Sequence, residues 1–125
     1  MILDTNAVSA LATEDTAIVQ LLTTSERHHL PVIVIGEYRF GLEGSRHGNE
    51  LRNWLEVLVS ESIVLPVELE TATHYALLRR ELKEAGTPIP SNDIWIAALA
   101  LQYDEPIVSR DTHFDQISSI RRIAW

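Results

Sequence analysis

The sequence predicts an α/β fold: a mostly parallel sheet with helices on both faces. Two observations carry this. Short apolar runs at residues 1–3, 30–35, 62–67, 106–109 and 120–125 alternate along the whole chain with longer segments of helical periodicity, the pattern of strands joined by helical crossovers. No internal repeat, low-complexity tract or linker interrupts the alternation, and the one Pro-rich stretch, residues 85–91, is too short to divide domains.

Taken in order, residues 1–3 (MIL) read as a short buried strand that ends on Asp4, and residues 6–12 (NAVSALA) as one or two helical turns. Glu14 and Asp15 put acids near the positive end of the next helix, residues 16–24, with Ile18, Val19, Leu21 and Leu22 as its apolar positions. Residues 30–35 (LPVIVI) are the clearest buried strand by composition, with Pro31 at the entrance. A helix from Gly36-Glu37 through Leu42 follows, and then a Gly-punctuated region. Residues 51–59 read as a helix with Trp54, Leu55 and Leu58 on one face, residues 62–67 (SIVLPV) as a strand, and residues 68–85 as a long helix ended by Gly86. Ser91 or Asn92 is expected to cap an apolar helix over 93–103. Residues 106–109 (PIVS) form a further strand, 110–114 a loop or one helical turn, and 120–125 an edge strand.

The chain has 125 residues, 46% hydrophobic, which is one domain's worth with an adequate core. It has no cysteine, so disulfides and thiolate-bound metals are excluded. No apolar run approaches a membrane span, and no signal-peptide pattern opens the chain, so a cytoplasmic protein is expected. The net charge of −8 argues against nucleic-acid binding by charge alone. It does not exclude an enzyme that reaches phosphates through bound cations.

Ligands of open parallel sheets bind beyond the carboxyl ends of the strands, and several acids fall there. Asp4 ends the first strand, Glu37 lies two residues past LPVIVI, and Asp111 lies two residues past PIVS. Asp93 opens a helix, and Asp115 follows Asp111 by one turn. Carboxylates brought that close retain protons or bind a cation. Oxygen donors suit Mg²⁺ or Mn²⁺, a standard device for phosphoryl chemistry. Each acid also has a plainer role. Asp4 and Asp111 suit turn acceptors, and Asp93 suits a helix dipole. Glu37 has no evident packing role. Asn6 suits either an N-cap or a partner that orients Asp4, and Ser109 either a strand end or a hydrogen-bond donor to a carboxylate.

The motifs DTN after the first strand, GE at 36–37, NDIWIAA at 92–98 and SRDTHF at 109–114 together resemble the PIN domain, and more narrowly VapC-type toxins. The resemblance spans essentially the whole chain, 1–125, as a single domain. It implies a five-stranded parallel sheet and a Mg²⁺- or Mn²⁺-dependent endoribonuclease acting on RNA. It also implies a cognate antitoxin and a homodimer. By motif it assigns the acidic site to Asp4, Glu37, Asp93 and Asp111, with Asn6 and Ser109 as polar supports. Asp115 lies near the site but is not required by the pattern. A hydroxyl residue common in the family just before the second acid is replaced here by Ile35-Gly36.

Under this reading Arg39, Arg46 and Arg52 form a basic rim for RNA downstream of Glu37, with Arg39 closest to it. Arg79, Arg80 and Lys83 read as a solvated helix face. Tyr38, Phe40, Leu42, Trp54 and Leu58 are candidates for an apolar antitoxin groove, although Trp54 and Leu58 suit the core better. Other α/β chemistries lack their residues. A receiver domain needs a second acid after the first strand, a phosphoacceptor after the third and a late Lys. A haloacid-dehalogenase-type phosphatase needs an acid where Asn6 stands. There is no G-x-S-x-G elbow, P-loop or dinucleotide fingerprint. The histidines at 28, 29, 47, 74 and 113 lack zinc spacing, and His113 reads as a surface residue. The remaining alternative is a PIN-like scaffold without catalysis, acting as an RNA- or protein-binding module.

Overall fold

The computed structural model describes residues 1–24 and 27–125. Among these residues five strands, β1 (Ile2–Leu3), β2 (His29–Pro31), β3 (Ile63–Leu65), β4 (Ile107–Val108) and β5 (Arg122–Ile123), form one sheet in the order β3-β2-β1-β4-β5. Every pairing is parallel, with Ile2 opposite both His29 and Ile107, Pro31 opposite Leu65, and Val108 opposite Ile123. The expected fold class is therefore the observed one.

Among the described residues six helices connect the strands: α1 (Thr5–Ala12), α2 (Thr16–Thr23), α3 (Val32–Leu42), α4 (Gly48–Glu61), α5 (Leu69–Glu84) and α6 (Ser91–Tyr103), with a 3₁₀ turn at Thr112–Gln116. Parallel crossovers are right-handed. The chain steps outward from β1 to β3 and then returns across the sheet to β4, so this rule places the crossovers through α1–α4 on one face and the crossover through α5–α6 on the other, with α3 also touching α6. The order reverses at β1, and the crevice between the carboxyl ends of β1 and β4 is where such sheets bind ligands.

The core lies between sheet and helices. Ile2, Leu3, Leu30, Ile107 and Val108 are fully buried from the strands, and Val8, Ile18, Val34, Ile96 and Leu99 meet them from the helices. Helix α6 buries Ile94 and then every residue from 96 to 100, as expected of a helix covered on several sides.

One element departs from expectation. LPVIVI is not a strand: only His29–Pro31 pair in the sheet, and Val32 already opens α3, with Pro31 as its N-cap at φ −62°. A short apolar run fits either a buried strand or a buried helix. The spacing of the buried residues Val34, Ile35, Tyr38 and Leu42 is helical. Glu37 accordingly sits in the second turn of a helix instead of opening one. A smaller correction concerns α6, which starts at Ser91 with Pro90 as N-cap and without a side-chain capping bond. Pro90's ring fixes φ at the entrance.

Helix α5 ends as its Gly86 predicts. Gly86 adopts φ +69°, Thr87 N–H donates to the Leu82 carbonyl at 3.0 Å, and Gly86 N–H to that of Lys83 at 3.1 Å, the paired bonds of a Schellman cap. A Cβ on Gly86 or on Gly36 within α3 would meet nothing within 4 Å, so backbone preference alone separates the two sites. Gly86→Ala is expected to destabilise the protein by about 1 kcal/mol, and Gly36→Ala to stabilise it by about 0.5–1 kcal/mol, in urea unfolding.

Candidate metal centre

The site is assembled at the carboxyl edge of β1 and β4. Asp4 follows β1 directly, and its N–H donates to the Val108 carbonyl of β4 at 3.2 Å. That ladder bond fixes the backbone, and the side chain is then held as the N-cap of α1. Asp4 Oδ1 accepts from Thr5 N–H at 2.7 Å. Oδ2 accepts from Ser109 Oγ at 2.6 Å and from Asn6 Nδ2 at 3.1 Å. The carboxylate is 5% exposed, and these donors are what makes an acid tolerable at that depth.

Ser109 and Asn6 tie the two strand ends together. Ser109 is fully buried; its Oγ also accepts from Asn6 Nδ2 at 3.1 Å and from Asp111 N–H at 2.9 Å. Asn6 Oδ1 accepts from Arg110 N–H at 3.1 Å. The loop after β4 is thereby fastened to the first turn of α1, with Asp111 beside Asp4.

Glu37 reaches the same place from α3, where Thr5 Oγ1 donates to its Oε1 at 3.3 Å. Asp93 comes from the first turn of α6, and its side chain is 13% exposed. Asp111 caps the 3₁₀ turn, accepting from His113 N–H at 2.9 Å. Four acids from four segments of the chain thus come within charge–charge range of one another.

Their titration records the crowding. Burial raises the Asp4 carboxyl above its usual value against the hydrogen bonds from Ser109 and Thr5, and Asp111 raises it further. Burial also raises Glu37, with Asp4 adding to the effect. Asp93 is pushed up to about 6 by burial first, then by Asp111 and Asp4, with His113 opposing. Like charges gathered in a half-buried pocket are the situation that a cation relieves. The donors are carboxylate oxygens from several directions, the chemistry that Mg²⁺ or Mn²⁺ takes, so the residues fit such an ion.

The remaining expected residues are placed differently. Asp115 does not face the four acids: Arg122 of β5 clamps it with two 2.8 Å bonds and donates onward to the Ser109 carbonyl at 3.1 Å. Its part is to brace the loop after β4 from outside. Arg39 is paired with Glu56 on the exposed surface at 2.8 Å, which offsets its charge. Arg46 is exposed in the turn before α4.

Two residues at the site were not expected there. Thr5 positions Glu37. His113, read from sequence as a surface residue, places Nδ1 3.2 Å from Asp93 Oδ2 and 3.1 Å from Asp111 Oδ1. The signal was available in DTH: a capping Asp that accepts from the N–H two residues on folds that residue back toward the cap.

The raised acids carry a testable sign. Asp93 has a folded-state value of about 6 against 3.8 for an ordinary Asp side chain, so stability is lost as pH rises from about 3.8 through about 6. In EDTA, Asp93→Asn is therefore expected to unfold about 3–8 °C higher than wild type at pH 7.5. That advantage should shrink toward zero by pH 4, as read by calorimetry across pH.

Comparison with known proteins gives the site its context. The sequence matches the PIN domain family over residues 1–120. It is 33% identical over 122 residues to a VapC ribonuclease of Sinorhizobium fredii, covering 90% of this chain and 87% of the relative. The fold superposes with TM-score 0.90 on DNA-bound VapBC from Salmonella typhimurium, at 26% identity, covering 99% of this chain and 96% of the other. A member of the VapBC family of toxin–antitoxin systems from Mycobacterium tuberculosis, VapBC-5, superposes with TM-score 0.76 at 28% identity, covering 99% and 97%. The match to the family runs through the segments that carry Asp4, Glu37, Asp93 and Asp111, and this chain belongs to the PIN-domain family, among its VapC relatives.

Proposed function

We propose that this protein is a metal-dependent endoribonuclease, the toxin of a toxin–antitoxin pair. The observation that carries the reading is the convergence of Asp4, Glu37, Asp93 and Asp111 at the β1/β4 crevice, on a chain related to VapC ribonucleases. These four side chains would hold Mg²⁺ or Mn²⁺. Such an ion supplies activation of water and neutralisation of charge on a scissile phosphate. The chain's own residues do the positioning. Ser109 and Asn6 fix Asp4, Thr5 fixes Glu37, and Asp111 is fixed by the bond it accepts from His113 N–H in the turn it caps. No side chain in the pocket needs to become covalently modified.

An acidic chain admits RNA through the cation and a local basic rim. Arg46 suits that rim better than Arg39, whose charge Glu56 already meets. An antitoxin segment fits a cleft of about 440 Å³ between α2 and α4 that Leu11, Val19, Leu22, Trp54 and Leu58 line, with Arg27 and Glu61 at its margin. Tyr38 and Leu42, read from sequence as candidates for that contact, are buried in the core, while Phe40 is 80% exposed. Among the described residues no helix is long and apolar enough to cross a membrane, in keeping with action on RNA in the cytoplasm. The domain is read as spanning 1–125.

The purified protein is expected to cleave RNA with Mg²⁺ or Mn²⁺ and to stop in excess EDTA. Asp4→Asn and Asp111→Asn should each lower the rate by about a hundredfold or more while circular dichroism stays native. Cleavage that persists in EDTA, or that survives both substitutions, contradicts the reading. A protein that binds RNA or an antitoxin but never cleaves would instead match a non-catalytic binding module.

A further inference from the structure

Carboxylates do not account for every donor in the pocket. His113 Nδ1, Asp93 Oδ2 and Asp111 Oδ1 all lie within 4.8 Å of one another, and the nitrogen stands 3.2 Å and 3.1 Å from the two oxygens. Donors on adjacent corners of an octahedral ion with bonds of about 2.1 Å are about 3.0 Å apart. The nitrogen is therefore already spaced from each of the two oxygens like a neighbouring donor in one coordination shell.

The placement of the ring is built in. His113 N–H donates to Asp111 Oδ1 at 2.9 Å, which fixes the backbone of the turn. The next residue, Phe114, is 1% exposed and anchors the turn in the core, and Ile117 N–H closes the turn on the Phe114 carbonyl at 3.1 Å. The imidazole itself is half-exposed, so its ring can adjust toward an ion without repacking the core.

We propose that His113 donates an imidazole nitrogen to the divalent ion held by Asp93 and Asp111, and thereby biases this site toward Mn²⁺ over Mg²⁺. The proposal rests on the metal-nuclease reading above and deepens it. Mg²⁺ takes oxygen donors almost exclusively and gives up its water reluctantly, whereas a nitrogen donor gains along the first-row series that begins with Mn²⁺. A pocket of carboxylates alone would discriminate weakly between the two ions. One imidazole adds a term that only the first-row ion exploits.

A competing role has the opposite sign. If the ring serves only as a counter-cation between Asp93 and Asp111 and leaves when the ion arrives, its removal strengthens binding of both ions. Calorimetric titration of Mn²⁺ and Mg²⁺ into wild type, His113→Ala and His113→Gln separates the two. The proposal expects His113→Ala to weaken Mn²⁺ by about tenfold or more and to change Mg²⁺ by less than about threefold. His113→Gln keeps an oxygen donor and should lower the preference for Mn²⁺ without abolishing binding. Electron spin-echo modulation on the Mn²⁺-loaded protein should show ¹⁴N coupling in wild type and none in either variant.

Unchanged or tighter Mn²⁺ binding in His113→Ala, or ¹⁴N coupling that survives the substitution, overturns the role of His113 and leaves the metal site standing. Failure of wild type to bind either ion removes the metal site itself, and the inference with it. Circular dichroism of both variants checks that the turn still folds.

Discussion

A carboxylate at the end of the central strand must be kept ionisable without water around it, and the rest of the site follows from how that is arranged. Asp4 sits where β1 meets β4, and its N–H is spent on the Val108 carbonyl. Its side chain is then satisfied locally by Thr5 and Asn6 and across the crevice by Ser109. Those same bonds bring the loop after β4 against α1, so Asp111 cannot avoid Asp4. The hydrogen bonds that solvate the first acid thereby determine where the last one stands. Removing Ser109 would strip a buried acceptor of its shortest bond and loosen the loop together.

The arrangement opposes stability in the absence of a cation. Asp4, Glu37 and Asp93 all resist ionisation, burial being the first cause for each and a neighbouring acid a further one. Part of the repulsion is absorbed by cationic and polar groups at the rim. His113 reaches Asp93 and Asp111, and Arg122 holds Asp115 away from the pocket while bracing the Ser109 carbonyl. What remains is available to an incoming divalent ion as binding free energy, because an ion that satisfies the acids also removes their mutual cost. The electrostatic strain and the proposed function are two descriptions of the same pocket.

Much of this was legible in the chain. Strand ends marked by Asp4 and by Ser109 to Asp111 lie where their apolar runs place them, and Gly86 ends α5 as its type requires. The failures have physical causes. LPVIVI carries the composition of a buried strand, but a run apolar on every side has no period to read, and tertiary packing on α1 and α6 made it a helix. Glu37 still reaches the pocket, because the second turn of α3 lies over the carboxyl edge of the sheet. Asp115 looked like a member of the acidic set by spacing alone. Its partner Arg122 lies seven residues on in an edge strand, a pairing that no local pattern discloses. His113 was passed over because a single histidine lacks the spacing of a histidine metal site, and the fold supplies its two acidic neighbours from α6 and from the cap of its own turn.

The central claim is spatial: one divalent ion is held where β1, α3, α6 and the turn after β4 meet. Anomalous diffraction from crystals of this protein soaked in Mn²⁺ tests it most directly. The account predicts a strong peak bounded by the carboxylates of Asp4, Asp93 and Asp111. An ordered crystal with those side chains clear in the density and no peak there, or with Mn²⁺ bound only elsewhere, would contradict it.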